Sequence, residues 1–217
     1  MGSTVWQYLV DRRELIAFQA YQHVSLVVQC VLLATVIGVG LAVLAYRSPR
    51  ITGLANGVSA IGLTIPSFAL LGLLLAPFGF GITPAVVAVV FYAALPVLRN
   101  AVVGLAGVDQ SLVESARGIG MSRWATLRRV ELPLAWPVIL AGVRVSTQMV
   151  MGIAAVAAYV LGPGLGSLIF SGLSRLGGAN ALNATLVGTI AIVLLALVLD
   201  VVLVVVGRLT TSRGIRV

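Results

Sequence analysis

The stretch Val108–Pro133 reads VDQSLVESARGIGMSRWATLRRVELP. It is the longest polar segment in a chain that is otherwise strongly apolar, and long hydrophobic runs flank it on both sides. Hydrophobic residues make up 60% of the 217 residues and charged residues only 9%, with a mean hydropathy of +1.12. Soluble domains carry about 25% charged residues and under half apolar ones. A soluble globule, a disordered chain and a disulfide scaffold are therefore excluded. The polar stretch reads as an exposed loop between membrane spans.

Working outward from it, five runs are long enough to cross a bilayer core of ~30 Å, which needs about 20 helical residues. They lie at about His23–Tyr46, Leu54–Ala76, Ile82–Leu98, Trp136–Leu161 and Ala184–Gly207. The third is short and holds Pro84 and Pro96. The fourth carries Arg144 and the fifth carries Asp200. The expected fold is an all-α integral membrane protein of about five transmembrane helices. Residues 1–217 form a single transmembrane domain, with no internal repeat and no long linker.

Arginine placement sets the expected orientation. With the N-terminus outside, Arg47, Arg50, Arg99, Arg117, Arg123, Arg128, Arg129, Arg208, Arg213 and Arg216 are cytoplasmic. Only Arg12, Arg13 and Arg175 are outside. The positive-inside bias favours this arrangement, with a cytoplasmic C-terminus. Residues 1–21 form an amphipathic segment expected to lie on the outer surface or along the bundle. The net charge of +8 is then a basic skirt facing lipid headgroups or an acidic protein partner, and no nucleic-acid footprint.

Within the loop, Ser111 and Glu114 have capping-box spacing, so a helix is expected to start there. Gly118 and Gly120 end it. Ser122 caps a second short helix through Val130, and Pro133 stops it. Trp124 and Leu127, three apart, are expected to share a face rimmed by Arg123, Arg128 and Arg129. The result is a cationic knob with an apolar centre, built from the residue types that anchor interfaces.

Glu114-Ser115-Ala116, then Gly120, then nine residues, then Val130-x-Leu132-Pro133 resembles the EAA loop of ABC importer permeases. The family pattern has alanine where Ser115 stands and isoleucine where Val130 stands. The resemblance implies that 108–133 is the coupling loop, docking on an ABC ATPase dimer through Glu114, Ser115, Ala116, Gly120, Trp124, Leu132 and Pro133. TIPSFALLGLLL (Thr64–Leu75), LPVLRN (Leu95–Asn100), VELPLAWPVILAGVR (Val130–Arg144) and GPGLGSLIFSGL (Gly162–Leu173) are similar to the osmoprotectant branch, the glycine betaine, choline, carnitine and proline importers. A methionine permease, or one for another small polar solute, is the alternative. The family implies a second permease copy or paralogue, because five helices are too few to enclose a gated path. It also implies an extracytoplasmic substrate-binding protein, and a multi-pass location in a bacterial or archaeal cytoplasmic membrane. This chain is then a transport subunit and no enzyme, while ATP and magnesium belong to the ATPase.

Several residues carry two readings. Glu114 either completes a cap or braces the coupling helix, and the two roles are compatible. Gly120 is needed for backbone shape. Trp124 is either a headgroup-level anchor or a docking residue. Arg144 is expected to snorkel to the inner headgroups, or else to line the inner mouth of the path. Asp200 is expected to make a structural or inter-subunit contact; Arg208, eight residues on and about 12 Å away, is too far to pair with it along one helix. His23 and Cys30 are packing residues. Gly152, Ala154, Ala155, Ala157 and Ala158 thin the fourth span, for close packing or for a path or dimer seam. The glycine-rich segment after Leu161 is a loop with one short helix, facing the binding protein or simply connecting spans.

Other classes fit poorly. The chain has no lysine, so it holds no Walker A loop and no Schiff-base lysine. One cysteine and one histidine exclude a cysteine metal cage and a His-Glu-x-x-His site. An ion-coupled carrier commonly shows repeats and several midplane acids. Quaternary ammonium recognition wants an aromatic cage, and Phe68, Tyr92 and Tyr159 are scattered along the sequence. Solute discrimination is therefore expected to reside mostly in the binding protein.

Overall fold

The computed structural model describes residues 4–211, and no strand occurs among them. Arg213 and Arg216, counted above as cytoplasmic, lie outside the described residues. A short helix α1 (Val5–Asp11) is closed by a capping box in which Thr4 and Gln7 exchange bonds. Helix α2 (Arg13–Ala45) follows after one residue. It starts ten residues before the apolar run His23–Tyr46, because nothing in Arg13–Gln22 stops a helix. Its 33 residues span about 50 Å, more than a bilayer core.

The run Leu54–Ala76 is not one straight span. It divides into α3 (Pro49–Thr64) and α4 (Ser67–Phe78), bent by 94° at Ile65–Pro66. Pro66 lacks an N–H and disfavours helical geometry at Ile65. The Ile65 carbonyl freed by the break accepts a 2.6 Å bond from the Tyr92 hydroxyl. Helix α5 (Ile82–Ala106) continues eight residues past the expected Leu98. Beyond it lie α6 (Gln110–Gly118), α7 (Arg123–Thr126) and a π-helical segment, Leu127–Glu131. Then come α8 (Leu132–Val156), a 3₁₀ turn (Ala157–Val160), α9 (Gly166–Leu173) and α10 (Ala181–Thr210). The expected single short helix after Leu161 is α9.

Pro133 does not end the second loop helix as its composition suggests. The chain stays helical from Arg123 to Val160. The Leu132 N–H bonds back to the Leu127 carbonyl, five residues away. That wider turn makes room for the Pro133 ring, so the proline is accommodated within a helix that continues through it.

Close contacts fix the helix directions. Gly81 N–H bonds the Val160 carbonyl, Ser146 Oγ bonds the Ala93 carbonyl, and Gly104 rests on the Ala135 carbonyl. So α5 and α8 are antiparallel. His23 meets Met151 and Tyr46 meets Glu131, so α2 also opposes α8. Trp136 Nε1 donates to Thr210 and Arg144 meets Asp200, so α10 does too. Helices α2 and α5 thus run the same way, and the bent pair between them must return across the layer. Four long apolar helices, with the bent pair α3–α4 counted as one span, give five crossings, and the polar loop shares one end of the bundle with the end of α10. Arg47, Arg50, Arg117, Arg123, Arg128, Arg129 and Arg208 gather at that end, opposite Arg12, Arg13 and Arg175.

Small residues bring α5 and α8 together. A Cβ on Gly142 would lie 2.6 Å from Asn100 Cβ and 3.0 Å from the Pro96 carbonyl oxygen. Such approach is how helices associate where lipid is as apolar as the side chains. Ala154, Ala155 and Ala157 are buried, Ala155 against Gly166 of α9, whereas Gly152 faces open space within the chain. Cys30 is buried. His23 is buried with Nε2 3.1 Å from the Met151 carbonyl, and Gly164 packs against its ring.

Candidate functional site

The polar loop folds as two short helices at an angle set by one glycine. Asp109, not Ser111, is the N-cap of α6: its carboxylate accepts from the Ser111 N–H at 2.9 Å. Hydrogen bonds from the Ser111 backbone and side chain hold the Asp109 carboxyl below the usual carboxylate range. The expected Ser111–Glu114 box does not form, because an aspartate two residues earlier takes the cap. Ser111 instead lends its carbonyl to the Ser115 hydroxyl at 2.7 Å. Helix α6 is amphipathic, with Val113 and Ala116 buried and Leu112, Glu114, Ser115 and Arg117 exposed.

The end of α6 is a Schellman turn. Gly120 N–H bonds the Arg117 carbonyl at 2.9 Å and Met121 N–H bonds the Ala116 carbonyl at 3.1 Å. Gly120 sits at φ +87°, where an L side chain is strained. Ser122 Oγ then accepts from the Ala125 N–H at 3.2 Å and caps α7, as its spacing predicts. Trp124 and Leu127 do not share a face: Trp124 is 67% exposed and Leu127 is buried. The apolar surface of the knob comes from Leu112, Ile119 and Trp124, with Ile119 81% exposed.

The knob is tied to the bundle at its foot. Glu131 is buried, and its carboxylate accepts from the Tyr46 hydroxyl at 2.7 Å and from Arg47 Nη2 at 3.2 Å. Arg47 Nε also donates to the Tyr46 oxygen at 2.6 Å. The end of α2 and the start of α8 are therefore clamped by a charge-assisted network. Leu132 packs partly buried beside Leu127, Ala135 and Ile139, while Pro133 is exposed.

A second ionic contact lies deeper. Arg144 Nε and Nη2 reach the two Asp200 oxygens at 3.0 and 2.9 Å. Arg144 lies twelve residues into α8, about 18 Å from its start, so it does not snorkel to the headgroups. It is neutralised by Asp200 of α10 within the same chain, which makes Asp200 a structural contact. A third group is aromatic. Phe68 and Tyr159 have ring centroids 4.4 Å apart, and Tyr159 and Phe170 are 6.2 Å apart. These rings, scattered in sequence, meet in space, whereas Tyr92 is engaged at the α3–α4 break. No cluster of three or more metal-ligating side chains occurs among the described residues.

Residues 34–212 match the model of the family described as "Binding-protein-dependent transport system inner membrane component". The chain belongs to that family. The permease is 37% identical to the choline transport system permease protein OpuBB of Bacillus subtilis, over 97% of this chain and 95% of the relative. It is 39% identical to the osmoprotectant import permease protein OsmW of Salmonella typhimurium, over 96% and 98%. It is 37% identical to the carnitine transport permease protein OpuCB of Listeria monocytogenes, over 91% and 89%. Among solved structures, the inward-facing methionine ABC transporter MetNI gives a TM-score of 0.78 at 20% identity, covering 93% of this chain and 99% of that one. That likeness concerns the fold, which is that of ABC transporter permeases.

The residues expected to mark the permease's docking loop divide by direction. Glu114, Ser115, Gly120, Trp124 and Pro133 are exposed, whereas Ala116 is buried and Leu132 half-buried. The sequence pattern does not mark Glu131, which occupies the unspecified position of Val130-x-Leu132-Pro133 and whose partners lie 84 and 85 residues away. Ile119 is likewise unspecified by the motif. Its place just before a positive-φ glycine, at the C-cap of α6, was the available signal.

Proposed function

We propose that the permease is the membrane subunit of an ATP-driven importer of osmoprotectants of the choline, glycine betaine and carnitine class. The observation that carries this is the 37–39% identity, over most of the chain, to permeases named for those solutes. The 20% identity to the methionine transporter supports no solute.

In this reading the N-terminus is outside and the C-terminus cytoplasmic. The gathering of arginines at the loop end supports it through the positive-inside bias. The knob docks in a groove of an ABC ATPase dimer. Glu114, Ser115, Gly120 and Trp124 face the ATPase, Ala116 holds α6 against the bundle, and Leu132 and Pro133 form the hinge into α8. ATP closes the ATPase subunits, the knobs move with them, and the Arg47–Glu131 joint passes the motion to α2 and α8. A second permease copy or paralogue completes the path, and a binding protein delivers the solute. Solute enters through the cytoplasmic membrane with the chemistry of ATP hydrolysis left to the partner.

The test is growth under osmotic upshift of a host lacking its own importers, carrying the permease with its ATPase, partner permease and binding protein. Rescue by betaine or choline, lost when the ATPase is inactivated, is the expected result. An assembled, membrane-inserted complex that rescues with none of these solutes overturns the proposal.

A further inference from the structure

Among the described residues, Phe68, Tyr159 and Phe170 form an aromatic cluster in which two rings are both in contact and open. Phe68 is 46% exposed and Tyr159 is 48% exposed, with interplanar angles of 42° to each other and 46° between Tyr159 and Phe170. Each of the open rings sits where regular helix is interrupted. Phe68 is the second residue of α4, beyond the 94° break. Tyr159 lies in the 3₁₀ turn that ends at Leu161, whose φ is +63°.

The depth of the break restricts what its open side can face. Ile65 is held by Tyr92, ten residues into α5, or about 15 Å along it. That puts the break inside a core of ~30 Å, while Tyr159, next to the Val160 that bonds Gly81 at the start of α5, lies nearer the end of the bundle where α5 begins. Non-helical backbone at such depth is tolerated only where protein covers it or where it lines a water-filled cavity. Thr64, Pro66 and Phe68 are exposed in this chain, so its own helices do not cover them. The open side of the break is therefore a path wall or a seam with a second permease.

A quaternary ammonium group has no N–H to donate and is poorly served by hydrogen-bond acceptors. Ring faces within about 6 Å of the cation are its natural partner. We propose that Phe68 and Tyr159, backed by Phe170, receive the quaternary ammonium headgroup of the solute as it crosses the permease. This rests on the osmoprotectant reading given above. Open rings, rather than a closed cage, suit a contact that must release its ligand.

The test uses the assembled complex in proteoliposomes, with saturating binding protein and labelled choline and betaine. Phe68→Leu and Tyr159→Leu keep apolar bulk and remove the ring. Phe68→Trp and Tyr159→Phe keep a ring. The ring-removing variants are expected to lower the maximal uptake rate about tenfold, the size of one partly desolvated cation–π contact, with assembly and basal ATP hydrolysis unchanged. The ring-keeping variants stay within about twofold of the parent. Leucine variants that transport like the parent overturn the inference. So do leucine and ring-keeping variants that fail alike in uptake or assembly, since the cluster is then a packing seam. A parent complex that carries other solutes but no quaternary ammonium compound removes the osmoprotectant reading itself, and this inference with it.

Discussion

Replacing Gly120 should uncouple the knob through backbone shape alone. Its φ of +87° lies where an L residue costs about 1–2 kcal/mol, and more when β-branched. Nothing lies within 4 Å of a Cβ built there, so no steric clash adds to that cost. The turn is closed by two bonds, Gly120 N–H to Arg117 and Met121 N–H to Ala116, each worth about 1 kcal/mol net. Gly120→Val therefore roughly cancels what holds the turn, and its population relative to open shapes falls about tenfold or more. Asparagine tolerates the left-handed region, so the order is Gly, then Asn, then Ala, then Val. The assay is ATPase pull-down and ATP-driven uptake at matched membrane levels, which stay normal because Gly120 lies outside the spans. If Gly120→Asn falls as far as Gly120→Val, the glycine is needed for contact and the shape argument fails.

Three further outcomes follow from other contacts. Glu131→Ala should lower thermal stability in detergent by about 1–3 kcal/mol, since it strands Arg47 and Tyr46; Arg47→Ala added to it should cost little more, and strict additivity in that double-mutant cycle would mean the two do not interact. Asp200→Asn leaves Arg144 unneutralised in mid-span, an insertion cost of about 2.5 kcal/mol, so membrane yield should drop; the swap Arg144→Asp with Asp200→Arg should restore part of it, and a swap no better than the single change argues against the pair. Gly142→Val must push Asn100 and the Pro96 carbonyl away, and overpacking of this kind costs about 1–3 kcal/mol; a melting temperature equal to the parent's would contradict the close α5–α8 seam.

The helical membrane architecture was legible because hydropathy reads bilayer thickness directly. Four spans, His23–Tyr46, Ile82–Leu98, Trp136–Leu161 and Ala184–Gly207, lie inside observed helices or run to within a residue of their end. The broken span was not legible: Leu54–Ala76 carries no charge, and the bend depends on Pro66 together with the Tyr92 hydroxyl that arrives from α5. Pro133 misled in the other direction, since a π turn absorbs it. At the docking loop, the Gly120 turn and Ser122 cap were readable because they are local. Asp109, two residues earlier, takes the cap from Ser111. The Arg144–Asp200 pair, the Glu131 clamp and the Phe68–Tyr159 stack were hidden because their partners are far apart in sequence. One-dimensional spacing carries no information about which helix faces meet.

The most direct test is uptake by purified complex in proteoliposomes: permease, partner permease, ATPase and binding protein, with labelled choline, betaine, carnitine and methionine compared side by side. ATP-dependent accumulation of a quaternary ammonium solute, abolished by Gly120→Val without loss of the permease from the membrane, is the predicted result. Accumulation of methionine alone, or uptake that continues undiminished with Gly120→Val, would contradict the account.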